Sequence, residues 1–209
     1  MAQAEEVFDI YDEHLKPIGT ASRTEVHAQG LWHRTFQCWI VNEQDGDRTL
    51  LFQKRHPQKD TFPGLLDISC AGHLLAGEGI EEGNRELEEE LGISVAFGSL
   101  EPCGVLLDEK RLADGLIDRE ICHIFVYRSN QPLDSYKLQA DELTGLYRVS
   151  IEDVKRLAEQ NNVEDKIHAV GVETNEEGIL EFSERLFDRS DFVPRSSTYY
   201  EMMLKIAEK

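Results

Sequence analysis

Three glutamates, Glu86, Glu89 and Glu90, with Glu82 one turn earlier, fall at helical spacing within residues 72–93, where a glycine-rich loop runs into an acidic stretch. Residues three and four apart share one face of a helix, so these carboxylates project together. Ile80, Leu87 and Leu91 point elsewhere, toward a core. Like charges so placed repel by about 0.2–0.5 kcal/mol per pair even in water. A hard divalent cation bound among them reverses that penalty, and the chemistry this supports is Mg2+, or Mn2+ in its place, holding a diphosphate. A merely solvated acidic helix has the same composition, so the flanking residues decide.

Those residues resemble the Nudix box, which reads Gly, five residues, Glu, seven residues, Arg-Glu, an aliphatic, any residue, Glu-Glu, any residue, Gly and an aliphatic. Gly72, Glu78, Arg85, Glu86, Leu87, Glu89, Glu90, Gly92 and Ile93 match it, with six residues in place of seven between Glu78 and Arg85. The shortening falls where loop becomes helix, upstream of the register that carries Arg85 to Glu90. A motif with this many fixed positions is specific. The resemblance implies an α/β fold, the Nudix α/β/α sandwich with a mixed sheet and a catalytic loop-helix. It also implies a metal-dependent hydrolase that cleaves a diphosphate linkage in a small molecule or nucleotide derivative. Metal held by Glu86, Glu89 and Glu90 would neutralise the diphosphate, polarise phosphorus and activate water. For the general base the first choice is Glu89 or Glu90, with Glu120 as the alternative and as a further metal ligand. Arg85, four residues before Glu89, stands at salt-bridge spacing and is expected to orient it. Gly72 is expected to permit a tight loop close to the metal.

Outside the box, residues 8–154 are similar to a particular relative of the Nudix hydrolases, the isopentenyl-diphosphate isomerases. The landmarks are Leu31-Trp32-His33-Arg34-Thr35-Phe36, Phe62-Pro63-Gly64, Gly72-His73, Ile117-Asp118-Arg119-Glu120-Ile121-Cys122 and Asp141-Glu142. That likeness implies a second metal site on His27, His33, His73, Asp118 and Glu120. Asp118 and Glu120 sit two apart on an expected strand and so share a face. Imidazole with carboxylate suits Zn2+, Mn2+ or Fe2+ better than Mg2+. The isomerase reaction needs a cysteine just before the Gly-His pair, and Ala71 stands there. Cys70 is one residue early, which on a strand turns its sulfur to the opposite face. The box acids are intact, and both features favour hydrolysis. An isopentenyl-diphosphate delta-isomerase and a non-catalytic nucleotide-binding module are the rival readings.

Strands are expected over residues 7–11, 32–41, 49–55, 65–71, 94–97, 105–108, 117–128 and 145–149, with a polar turn ending at 17–19 and a hairpin turn at Asp45-Gly46. Phe36, Cys38 and Ile40 share one face of the second strand. Ser22-Arg23-Thr24-Glu25 has capping-box spacing, and Gly30 stops that short helix. Gly92 suits a left-handed C-cap after the acidic helix. Ser150 caps a further helix running to about Gln160. Polar residues 161–166 mark a boundary between a Nudix domain, 1–160, and a C-terminal extension, 161–209, packed on it. Residues 167–194 mix apolar and acidic positions without a period, and 197–207 read as a packing helix with Tyr200, Met203, Leu204 and Ala207 on one side.

With 209 residues, 40% of them hydrophobic, the chain can bury a real core. Its 22 basic and 41 acidic residues give a formal charge of −19, which repels nucleic acid and anionic membranes. A polyphosphate therefore needs metal and a local basic patch, for which Lys54-Arg55-His56 with Lys59 is the candidate. Four cysteines without CxxC spacing, an acidic start lacking an apolar leader and no apolar run of about 20 residues predict a cytoplasmic protein with free thiols. The expected partner is a small-molecule diphosphate, with self-association into a homodimer left open. Substrate choice is expected to lie in loops such as 109–116 and in the extension.

Overall fold

The computed structural model describes residues 5–44, 46–111, 116–159 and 166–209. Strand β1 (Val7–Tyr11) pairs antiparallel with β2 (Pro17–Ser22). Residues 17–19 thus lie in a strand, and the turn comes earlier, because the Asp12 carboxylate takes the N–H groups of His14 and Lys16 and closes the chain there. Helix α1 (Arg23–Gln29) begins in the capping box of Ser22 and Glu25 and ends at Gly30 with φ 62°.

The long β3 (Trp32–Gln44) turns at Gly46 into β4 (Asp47–Arg55). Asp45, the first half of that expected turn, lies outside the described residues. β5 (Leu66–Asp67) and β6 (Cys70–His73) lead to a 3₁₀ turn over Ile80–Asn84 and then helix α2 (Arg85–Leu91). A 3₁₀ turn rises about 2.0 Å per residue against about 1.5 Å in an α-helix. The shortened stretch between Glu78 and Arg85 is thus taken up by a 3₁₀ turn, upstream of the helix that carries Arg85 to Glu90.

Residues 94–97 form no strand. They lead into a 3₁₀ turn, Phe97–Ser99, and the Val95 carbonyl that a neighbouring strand would need is taken by the Asn84 side chain at 2.7 Å. β7 (Glu101–Arg111) and β8 (Ile117–Arg128) follow, then β9 (Leu143–Ser150) and α3 (Ile151–Ala158) under a Ser150 cap. The boundary expected at 161–166 falls, except for Lys166, outside the described residues. Beyond it, β10 (Ile167–Thr174) and β11 (Leu180–Phe187) form a hairpin, and α4 (Ser197–Ala207) closes the described chain.

The eleven strands of the described residues join one sheet, in the order β11-β10-β9-β4-β3-β1-β2, with β5 on β4, β6 on β3, and β8 on β3 carrying β7. The β3–β8 pair is parallel among antiparallel neighbours, so the sheet is mixed. Alternation along the central strands then sends neighbouring side chains to opposite faces. Cys38, Ile40 and Leu51 pack with Leu87 and Leu91 of α2, whereas Trp39, Val41, Leu50 and Phe52 pack with Val154 of α3 and Tyr199 and Met203 of α4. Helices therefore cover both faces and the architecture is an α/β/α sandwich. Burying Leu87 and Leu91 is worth about 1.5–3 kcal/mol each and fixes which side of α2 faces out. The hairpin escaped sequence reading because edge strand β11 leaves Phe182 and Leu186 exposed, so its apolar pattern does not track burial.

Candidate active site and metal centre

Helix α2 lies against β6, and its polar side is organised by Arg85. The guanidinium grips both oxygens of Glu78, at 3.0 and 3.2 Å, and its Nη1 reaches Glu86 at 2.6 Å and Glu89 at 3.1 Å, while Nη2 donates to the His73 carbonyl at 3.0 Å. Glu78 also accepts from the Leu75 N–H. The box residues so bound hold the loop to the helix. Glu89 is half exposed, but Glu90 is buried, and its Oε2 accepts from the Ala71 N–H and the Gln53 amide, each at 3.3 Å. Glu86, Glu89 and Glu90 form no compact triad: the groups whose ligand atoms come within 4.8 Å of one another, among the described residues, all lie elsewhere. Arg85 holds Glu86 and Glu89 on one nitrogen, whereas Glu90 is turned inward to Ala71 and Gln53. Burial, with the Glu89 charge adding to it, raises the Glu86 carboxyl to about 7, and burial with Glu86 beside it raises Glu90 to about 8.

These shifts have a sign. Both groups hold a proton in the folded state that the unfolded chain releases near its ordinary value of 4.5. Their contribution to stability is fully present below about pH 4.5 and is lost as the pH rises through 7 and 8. In chelator, the melting temperature should fall across that window, and Glu90→Gln should flatten the slope; equal slopes for the two proteins would contradict the assignment. Added Mg2+ should recover more stability at pH 8 than at pH 6.

Gly72 is needed for space. A Cβ there would fall inside the Glu86 carboxyl group, whereas its own φ is one any residue can adopt. Gly72→Ala should push the Glu86 carboxyl aside at little cost to the fold and weaken the stabilising effect of Mg2+. A variant with a native Mg2+ response would refute this. Gly92 ends α2 at φ 70°, in the left-handed region that favours glycine.

The second constellation is compact. Nitrogens of His27, His33 and His73 come within 4.8 Å of one another, as do ligand atoms of His33, Asp118 and Glu120. His27 comes from α1, His33 from β3, His73 from β6 and the two acids from β8, and the parallel pairing sets His33 beside Glu120. His33 Nδ1 lies 3.0 Å from the Leu31 carbonyl, which can only accept, so Nδ1 carries the proton and Nε2 presents a lone pair. That Nε2 is buried without a hydrogen-bond partner, and so is Asp118 Oδ1, 3.8 Å away. Two buried acceptors facing each other need a shared cation, either a metal or the proton that burial and Glu120 favour on Asp118 by raising its carboxyl to about 7. Burial also depresses all three imidazoles, His27 to about 4, which keeps them neutral and fit for ligation. Arg23 is a cation beside the imidazoles: its Nη1 stands 3.3 Å from His73 Nδ1 and is paired with Glu6.

Glu120 belongs to this second group. It also lies near Asp108 and Cys122, with Lys110 bridging Asp108 at 2.9 Å and Glu120 at 3.7 Å. Its other neighbour is Gln37, unremarked in the sequence, whose Nε2 is 3.4 Å from Glu120 Oε2. A chain of donors orients that amide. Trp39 Nε1 donates to the Tyr199 hydroxyl at 3.2 Å, and because an indole N–H can only donate, the phenol proton goes to Gln37 Oε1 at 2.8 Å. A glutamine inside the apolar run of β3 was a readable signal; Tyr199 lies in the segment read as a packing helix, but the side expected to pack was that of Tyr200, Met203, Leu204 and Ala207, and nothing local tied Tyr199 to Gln37. The basic patch is occupied: Lys54 pairs with Glu173, Arg55 with Asp67 and Lys59 with Glu142.

At the position that distinguishes the two chemistries, Cys70 is buried among Cys38, Leu87 and Leu91, and burial beside Glu90 pushes its thiol well up. Ala71 packs toward the opposite core. All four cysteines are free, and no described helix is long and apolar enough to cross a membrane.

A family model for the NUDIX domain matches residues 31–169. An uncharacterized Nudix hydrolase of Clostridium acetobutylicum is 42% identical over 201 residues, covering 96% of each chain. An isopentenyl-diphosphate Delta-isomerase of Photorhabdus laumondii is 30% identical over 163 residues, 77% of this chain and 85% of its own. Among solved structures, a Deinococcus radiodurans protein shares the fold with a TM-score of 0.55 at 22% identity, over 74% of this chain and 90% of its own. Loop-helix, sandwich and relatives agree, and the chain belongs to the NUDIX domain family, on the branch that resembles the isopentenyl-diphosphate isomerases.

Proposed function

We propose that this Nudix-type hydrolase cleaves a diphosphate linkage in a small molecule or nucleotide derivative, with Mg2+ or Mn2+ held at Glu86 and Glu90 and a transition metal at the histidine centre. The observation that carries the reading is the pair of buried carboxylates on α2, raised to about 7 and 8, which burial leaves without enough positive charge. Divalent cation at these oxygens would supply charge neutralisation to the diphosphate.

The chain's own residues do the rest. Arg85 holds Glu86 and Glu89 in place through one nitrogen. Glu90 commits Oε2 to Ala71 and Gln53, which suits a fixed ligand, while half-exposed Glu89 can reach solvent and take a proton from water. General-base help of that kind is worth about 10²–10⁴-fold. The donor set at the histidine centre, three neutral imidazoles with two carboxylates, suits Zn2+, Mn2+ or Fe2+.

Metal-dependent release of phosphate-containing products from nucleoside-diphosphate sugars, dinucleoside polyphosphates, coenzyme A and prenyl diphosphates tests the proposal. Turnover of at least one with Mg2+, and none in chelator, is the expected result. Isomerisation of isopentenyl diphosphate should be absent, because Ala71 has no proton to give and the Cys70 thiol is buried on the other face. Robust isomerisation by the unmodified chain would reverse the choice between the two chemistries.

A further inference from the structure

The segment between β11 and α4 delivers a buried arginine to the site. Val193 donates its N–H to the Leu66 carbonyl at 2.8 Å, which runs the chain alongside β5 and sets Arg195 on Asp67. Arg195 Nη2 is 2.6 Å from Asp67 Oδ1, its guanidinium carbon lies 4.7 Å over the Tyr199 ring, and its side chain is 5% exposed. The other Asp67 oxygen belongs to Arg55. Arg195 Nη1 is therefore buried without an acceptor. Burying a charged donor unpartnered costs more than a hydrogen bond returns, so the arrangement calls for an acceptor.

The place where that acceptor would sit adjoins the candidate active site. Tyr199, beneath the guanidinium, bonds Gln37; Gln37 pairs across the sheet with Ala71 and reaches Glu120; and the Ala71 N–H bonds Glu90. Lys110, bonded to Asp108 at 2.9 Å, stands 3.7 Å from Glu120 on the same side. Lys110 thus touches Glu120 directly, and Arg195 is linked to it through Tyr199 and Gln37. A hydrocarbon tail could pair with neither, whereas an oxyanion matches the guanidinium edge. We propose that Arg195 anchors a second anionic group of the substrate, a phosphate or carboxylate carried beyond the scissile diphosphate. For the identity of the substrate, this rests on the hydrolase reading.

Two measurements separate the inference from that reading. In metal-free protein, inorganic phosphate should bind saturably at millimolar concentration, and Arg195→Lys, which keeps a cation on Asp67 but loses the second donor edge, should weaken it at least tenfold. Asp67→Asn, which removes the competing carboxylate, should tighten it, a change opposite in sign to general destabilisation. With Mg2+, coenzyme A should be preferred to dephospho-coenzyme A, and ADP-ribose 2′-phosphate to ADP-ribose, by tenfold or more in whichever pair is turned over. Arg195→Lys should erase the preference through KM while kcat stays within about twofold. If no diphosphate is cleaved, the hydrolase reading fails and the phosphate arm alone decides on Arg195. Wild-type protein that binds no phosphate at tens of millimolar, or an Arg195→Lys variant equal to wild type in phosphate binding, overturns the proposal.

Discussion

Glu90→Gln should lower Mg2+-dependent turnover by about 10²-fold or more, and at pH 8 in chelator it should leave the protein as stable as wild type or more so. Both halves follow from one site. The Glu90 oxygen that accepts from Ala71 and Gln53 can be replaced by an amide oxygen without loss of either bond. The charge cannot be replaced, and the metal needs it. Burial raises this carboxyl to about 8, so at that pH the metal-free fold carries a carboxylate it resists forming, and glutamine relieves the strain. Mg2+ should raise the melting temperature of wild type and much less that of the variant. Turnover within a few-fold of wild type would remove Glu90 from the machinery. Lost turnover with a collapsed melting temperature would assign it to packing instead.

His33→Ala combined with His73→Ala should abolish transition-metal content, measured by elemental analysis of protein purified without chelator, while Mg2+ still stabilises the fold. In wild type a near-stoichiometric transition metal is expected, because His33 Nε2 and Asp118 Oδ1 are buried acceptors 3.8 Å apart and neither has a donor. Ligand bonds of about 2.0–2.2 Å fit that gap. Metal-free wild type that stays empty after incubation with Zn2+, Mn2+ and Fe2+ would rule the centre out. The melting temperature of the double variant serves as control, since His33 and His73 both stack near Phe8.

The box was legible because its spacing is local: a glycine-bracketed loop, an acidic helix and the glycine that ends it read directly, and Leu87 and Leu91 follow from periodicity. The two faces of β3 were legible in part, with Phe36, Cys38 and Ile40 on one side. Burial of Glu90 was not, since helical spacing says which residues share a side and not how deep the neighbouring strand sits. The histidine set came from likeness to the isomerases, and no spacing rule would have gathered residues from α1, β3, β6 and β8. Tyr199, Arg195 and the β10–β11 hairpin escaped because their partners are distant in sequence and the edge strand carries exposed apolar side chains.

The hydrogen bond from Tyr199 to Gln37 spans 162 positions of the chain. Loop-closure entropy delays such a contact until shorter-range pairings such as β3 with β4 have formed, and topologies rich in distant pairings fold slowly. A kinetic intermediate with the first strands and α2 in place would hold the whole Nudix box and still leave the Gln37 amide free to rotate against Glu120. During refolding, native-like circular dichroism should therefore precede recovery of activity, with docking of α4 as the step that makes the molecule competent.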